Sequence, residues 1–219
     1  MSIKAVIFDN DGTIVDSERL SVSCWIEAGE KMGININEES IKCLRGCSIS
    51  SAKPIFEAEY GTNPGWIPTK KCRDEIFFKK AYRDGIPLLP GARDALVACR
   101  ELKYKLVLCT SAYPSYCVHF LMGHHLYNLF DVRVFGTMVK LGKPDPAVYN
   151  LTVQKLGIKP EECLVIEDAP NGIISAYKAG CKICAVPGVP FKEEVIKMCD
   201  FIIKDLTELR PLLEKLKGE

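Results

Sequence analysis

Apolar residues follow two rhythms along the chain. Ala5-Val6-Ile7-Phe8 is an unbroken, partly β-branched run, and similar short runs recur at Lys105–Thr110, Val132–Phe135, Cys163–Glu167, Cys181–Val186 and Phe201–Ile203. Short continuous apolar runs read as strands buried on both faces. Between the later runs the apolar positions spread to a helical period. That spacing predicts helices at about Ala92–Leu102, Pro114–Met122, Pro146–Leu156, Pro170–Ala179, Glu193–Met198 and Leu206–Leu216. Boundary residues agree with it. Asp145 can accept backbone N–H bonds as N-cap, Pro146 suits the first helical position, and Gly157 suits the left-handed position past the last turn. Pro170 and Gly180 bracket the next helix in the same way. Strand–helix alternation predicts the α/β class, a doubly wound and mainly parallel sheet covered on both faces and joined by right-handed crossovers.

Between the first two strands the rhythm is helical throughout. Helices are expected at Glu18–Met32, about Asn37–Leu44, Ser50–Tyr60 and Ile67–Tyr82, with breaks at Gly46 and at Gly61–Pro68. The chain is thus expected to divide into an α/β core domain of residues 1–15 and 85–219 and a helical domain of residues 16–84 inserted after the first strand. There is no internal repeat and no low-complexity segment.

Composition narrows the function. An apolar fraction of 47% over 219 residues supplies a full core. A formal net charge of +1 removes the electrostatic case for nucleic acid or an anionic membrane surface as partner. No apolar run approaches the roughly 20 residues that span a bilayer. The chain enters its first strand by residue 4, so no signal peptide and a cytoplasmic protein are expected; a monomer is expected as well. The 11 cysteines are scattered through apolar patterns, as reduced core residues would be. Cys181 and Cys184 form a CxxC, but on a strand the period of two points them to opposite faces. His119, His124 and His125 read as ordinary surface or partly buried residues.

Three carboxylates, Asp9, Asp11 and Asp16, follow the first strand directly. In a doubly wound sheet, ligands bind beyond the carboxyl ends of the strands. Thr110 and Ser111 end the second strand, Glu167 and Asp168 end the fourth, and Lys143 lies in the turn "LGKPDP" ahead of a helix. Four junctions therefore bring carboxylates, hydroxyls and one ammonium to a single rim. Without a cation these acids would repel one another and raise each other's pKa. A hard dication that accepts oxygen ligands, Mg²⁺, resolves the conflict. Taken singly, each residue has a plainer reading. Asp9 and Asp11 could form a turn, Thr110 could end a strand, Lys143 could be a solvated charge, and Asp168 could cap a helix. Asp16 either caps the first inserted helix or orders the linker.

Taken together, "DNDGT" at Asp9–Thr13, the hydroxyl of "VLCTSA" at Thr110, Lys143 in "GKPDP" and the acidic pair of "VIEDAPNG" resemble the four motifs of the haloacid dehalogenase superfamily of aspartate-nucleophile phosphotransferases. The resemblance covers the whole chain, with the helical insert where the family carries its cap domain. It implies that Asp9 attacks phosphorus to form an aspartyl-phosphate, while Asp11 protonates the leaving alkoxide and then deprotonates water. Mg²⁺ would be held by Asp9, Asp168, the backbone carbonyl of Asp11 and Glu167. Thr110, Ser111 and Lys143 would bind the phosphoryl oxygens. Gly12 would let the backbone turn sharply, and Thr13 would bond within that turn.

Within the superfamily the chain looks most like the subgroup of β-phosphoglucomutase and small sugar-phosphate phosphatases, through "DSE" after the first motif, "LRGCS" in the insert, and "EDAPNG". Mutases of that subgroup carry a histidine and an arginine where this chain has Ser21 and Ile49, and Ile49 cannot bind an anion. Arg45, Lys79 and Lys80 are possible substitutes that the motif does not place. The departures favour hydrolysis of a small phosphomonoester, a phosphorylated sugar or polyol. Arg45, Gly46 and Ser48 are the expected specificity loop, and "VDSE" and Ile86–Gly91 the expected hinges. The alternatives are a β-phosphoglucomutase-type mutase and an inactive relative that binds metal and phosphate as a regulator.

Overall fold

The computed structural model describes residues 2–42, 44, 49–188 and 190–218. Arg45, Gly46 and Ser48 lie outside them. The chain forms two compact units, residues 1–15 with 88–219, and residues 16–87.

The first unit is built on six parallel strands: β1 (Ala5–Phe8), β2 (Lys105–Thr110), β3 (Val132–Phe135), β4 (Cys163–Glu167), β5 (Lys182–Ala185) and β6 (Phe201–Ile202). Their order is β3-β2-β1-β4-β5-β6, and every pairing is parallel. β1 therefore lies between β2 and β4, in register Ile7 with Val107 on one side and Val165 on the other. All four β1 residues are buried, which is why the run is apolar without alternation. The β5 ladder is shorter than the apolar run predicts. Cys181 and Val186 are buried but stand outside it, and Cys181 packs in one core cluster with Ile183 and Ala185, as a period of two requires.

The second unit carries α1 (Ser17–Met32), α2 (Glu38–Lys42), α3 (Ile49–Tyr60) and α4 (Trp66–Asp84). Its core is aromatic. Trp25 packs against Phe56 at 5.7 Å and Trp66 at 5.3 Å between ring centroids, with Ile36, Ile41 and Leu44 around them. Asp16 occupies the N-cap position of α1 without a side-chain capping bond, so the capping reading is corrected. Its backbone N–H instead donates to Pro87 O at 2.9 Å, and Leu89 N–H donates to Ile14 O at 2.9 Å. The two linker strands are thus bonded side by side, with Val15 and Leu88 forming an antiparallel bridge.

The remaining helices belong to the sheet unit: α5 (Ala92–Glu101), α6 (Pro114–Gly123), α7 (Ala147–Leu156), α8 (Pro170–Lys178), α9 (Glu193–Ile196) and α10 (Leu209–Gly218). Gly157 takes the left-handed conformation after α7, at φ 65°. Pro146 stands one residue before α7 rather than inside it, and Asp145 Oδ1 accepts the Ala147 N–H at 2.9 Å. The last predicted helix is a 3-10 turn at Leu206–Glu208 that leads into α10. Further 3-10 turns at Tyr127–Leu129, Gly136–Met138 and Pro160–Glu162 carry no periodic signal, because one turn is too short to show a period.

In the helical unit Glu27 is gripped by Lys80 at 2.7 Å and Lys31 at 2.9 Å. Hydrogen bonds from Lys80 and then Lys31 lower its pKa from the ordinary 4.5 to about 2. A depressed carboxylate adds stability above its unfolded value, and that contribution fades as pH falls through 4.5 toward 2. Carbon-detected NMR titration should place the Glu27 carboxyl near pH 2, and Lys80→Met should move it back toward 4.5.

Candidate functional site

The carboxyl ends of β1, β2 and β4, with the turn before α7, place the motif residues together. Asp9 directly follows β1, and its N–H still bonds Ile166 O at 3.1 Å, so the β1–β4 ladder fixes its backbone. Glu167 ends β4 and Asp168 follows it. Asp9, Glu167 and Asp168 are all buried, and each offers a carboxylate oxygen within 4.8 Å of the others. Lys143 is buried among them. Its Nζ donates to Asp9 Oδ1 at 2.7 Å, Glu167 Oε1 at 2.5 Å and Cys109 O at 3.4 Å.

Burial pushes the Asp9 carboxyl up to about 7; the Lys143 ammonium pulls against that shift, and the Glu167 carboxylate adds to it. Burial also acts to lower Lys143, but Asp9 and Glu167 outweigh it and hold the ammonium above its ordinary value. Three carboxylates against one ammonium leave two formal negative charges in a buried cluster. A dication fits that deficit in charge, and an all-oxygen donor set fits a hard ion such as Mg²⁺.

Two glycines make the cluster possible. A Cβ on Gly12 would lie 2.3 Å from Asp168 Oδ2, and its φ of +78° independently excludes most side chains. A Cβ on Gly172, in the first turn of α8, would meet Glu167 Cδ and Oε1 at 2.0 Å. Thr13 bonds within its own turn through its backbone, its N–H donating to Asn10 O at 3.3 Å. Its hydroxyl donates to Asp168 Oδ1 at 3.3 Å, tying the β1 loop to the β4 end. Ser175 Oγ donates to Asp145 O at 2.6 Å, which anchors the Lys143 turn to α8.

The other predicted residues divide. Thr110 is buried, and its hydroxyl accepts the Ala112 N–H at 3.1 Å, while Ser111 is exposed. Asp11 Oδ1 accepts from Tyr116 Oη at 2.7 Å, and Oδ2 accepts from Asn10 Nδ2 at 3.2 Å. Tyr116, Asn10, Tyr149 and Gly172 escape the sequence reading. Tyr149 lies on the buried stripe of α7 with Val148 and Thr152, so periodicity marks it as core. Its hydroxyl is the available signal, since a buried phenol needs a polar partner. That partner is Glu167 Oε1 at 2.6 Å, and the Tyr149 ring also lies 5.1 Å from Lys143 Nζ. The nearby thiols do not compete as nucleophiles. Burial pushes Cys109 up to about 12 and pushes Cys117 higher still, so both stay protonated.

Comparison with known proteins agrees with this geometry. The family model described as haloacid dehalogenase-like hydrolase matches residues 6–186. A phosphorylated carbohydrates phosphatase of Thermotoga maritima is 32% identical over 81% of this chain and 82% of its own. Hexitol phosphatase A of Escherichia coli is 30% identical over 95% of this chain and 94% of its own. Among solved structures, mutant CbbY from Rhodobacter sphaeroides in complex with xylulose-(1,5)bisphosphate superposes with a TM-score of 0.77 at 25% identity, covering 94% of this chain and 96% of that one.

Substituting Gly172→Ala should cost about 1–3 kcal/mol of stability by urea denaturation, the usual range for an overpacked site. In a Glu167→Ala background the cost should shrink toward zero, because the colliding carboxylate is gone.

Proposed function

Because the chain belongs to the haloacid dehalogenase-like hydrolases, we propose that its acidic rim hydrolyses a small phosphomonoester, a phosphorylated sugar or polyol, through an aspartyl-phosphate on Asp9. The observation that carries this reading is the convergence of Asp9, Glu167 and Asp168 on one buried point, with Lys143 bonded to two of them. The relatives named as carbohydrate and hexitol phosphatases support the substrate class.

Lys143 holds one oxygen of Asp9 and so fixes the rotation of that carboxylate against an incoming phosphorus. A bond forms from Asp9 to phosphorus as the bond from phosphorus to the substrate oxygen breaks. Asp11 gives that oxygen a proton. Water then attacks the phosphoryl group as the bond from phosphorus to Asp9 breaks, Asp11 accepts a proton from that water, and inorganic phosphate leaves. Asp9, Asp168, the Asp11 carbonyl and Glu167 would hold Mg²⁺, whose charge would offset that building on the phosphoryl oxygens. Thr110 and Ser111 would orient those oxygens, and Tyr149 keeps Glu167 and Lys143 in place.

In this reading residues 16–84 act as a cap that selects substrate, with Arg45, Gly46 and Ser48 proposed as its specificity residues. No nucleic-acid partner is invoked. Among the described residues no helix is long and apolar enough to cross a membrane.

A phosphate-release panel of sugar phosphates, polyol phosphates, nucleotides and pyridoxal phosphate tests the proposal. Turnover should concentrate on the sugar and polyol members. It should fall at least about a hundredfold in Asp9→Asn and vanish with EDTA, returning on addition of Mg²⁺. Conversion of β-glucose 1-phosphate to glucose 6-phosphate without net phosphate release would assign the chain to the mutases instead. No turnover of any phosphomonoester would favour a regulatory binder.

A further inference from the structure

We infer that Tyr116 is a positioning residue for Asp11, holding the proton-transferring carboxylate where departure of a poor leaving group needs it. This rests on the reading of Asp11 as acid and base given above. β2 pairs directly with β1, so α6, which begins just after β2, starts beside the loop that carries Asp11. Tyr116 lies in the first turn of α6. Its ring is buried against Phe120, with centroids 4.9 Å apart, and from there its hydroxyl donates to Asp11 Oδ1 at 2.7 Å.

The other carboxylate oxygen is held as well. Asn10 is fully buried, its Nδ2 donates to Asp11 Oδ2 at 3.2 Å, and its own Oδ1 has no hydrogen-bond partner among the described residues. The amide is therefore oriented by what its nitrogen gives to Asp11. A carboxylate on a two-torsion side chain is pinned at both oxygens by two buried neighbours. That matters because a general acid must lie within about 2.6–3.2 Å of the atom it protonates. The phenol supplies this constraint at little entropic cost, since its ring is already immobile.

The chemistry gives a readout that a purely structural contact would leave unmoved. When Asp9 takes the phosphoryl group from an alkyl phosphate, the bond from phosphorus to oxygen breaks and the departing alkoxide needs the Asp11 proton. When the substrate is p-nitrophenyl phosphate, the phenolate leaves without it. The quantity to compare is kcat/KM, which reports the step up to the first irreversible transfer. Tyr116→Phe keeps the ring and removes the hydroxyl. It should lower kcat/KM for the best alkyl phosphate of the panel by about 10–100-fold, a fraction of what general acid catalysis supplies. For p-nitrophenyl phosphate the change should stay within about threefold, with an unchanged thermal melting curve confirming the fold. Asp11→Asn should show the same selectivity more strongly, and adding Tyr116→Phe to it should cost nothing further. Equal losses on both substrates in Tyr116→Phe would overturn the inference while leaving Asp11 in its role. An Asp11→Asn protein that treats the two substrates alike would overturn the reading of Asp11 itself, and the inference with it.

Discussion

Lys143 delivers one positive charge to two carboxylates that arrive on different strands, Asp9 from β1 and Glu167 from β4. Burying an ammonium or a carboxylate alone is costly, so neither strand could end in an acid at this depth without it. The strength of the arrangement lies in its completeness. Tyr149 closes it on one side, with its hydroxyl on Glu167 and its ring against the ammonium. The Cys109 carbonyl takes a third Nζ proton direction. Remove Lys143 and the carboxylates are left as buried charges lacking a counterpart, which is the expensive state. A single lysine from a turn therefore governs the rotation of Asp9 and the ionic balance of the whole rim.

That rim is also shaped by what is missing from it. Gly12 and Gly172 give up side chains so that Asp168 and Glu167 can lie against bare backbone. The sheet brings the strand ends to one edge, but the last few ångströms of approach come from these two positions. Thr13 and Ser175 then lace the loops together across the rim, to Asp168 and to the Lys143 turn respectively. Backbone topology sets the neighbourhood, and glycine and hydroxyl residues set the distances.

Much of the fold was legible in the sequence because its strands are buried on both faces. β1, β2, β3 and β4 have the limits that the apolar runs predict, since an interior strand has no polar face to blur its ends. β5 came out shorter because burial and ladder membership are different things at Cys181 and Val186. In the site, the acidic residues were legible because charge at the end of an apolar run is conspicuous. Tyr149 and Tyr116 were not, because an aromatic residue on a helix stripe looks like packing until its hydroxyl is placed in space. The bond of Thr13 within its turn was legible, but the partner of its hydroxyl, Asp168, was not, because sequence offers no measure of proximity across the sheet.

The paired linkers at Ile14–Asp16 and Pro87–Leu89 have a consequence for how such a protein can diversify. Their backbone groups bond to each other, so the segment from 16 to 87 leaves the core and rejoins it at one spot. In chain topology it is a large hairpin loop. The entropic cost of closing a loop grows only with the logarithm of its length. A tight turn or a different small domain could be spliced between those two strands while β1 and β2 kept their register, so the inserted unit can change without disturbing the strand ends that carry the acidic rim.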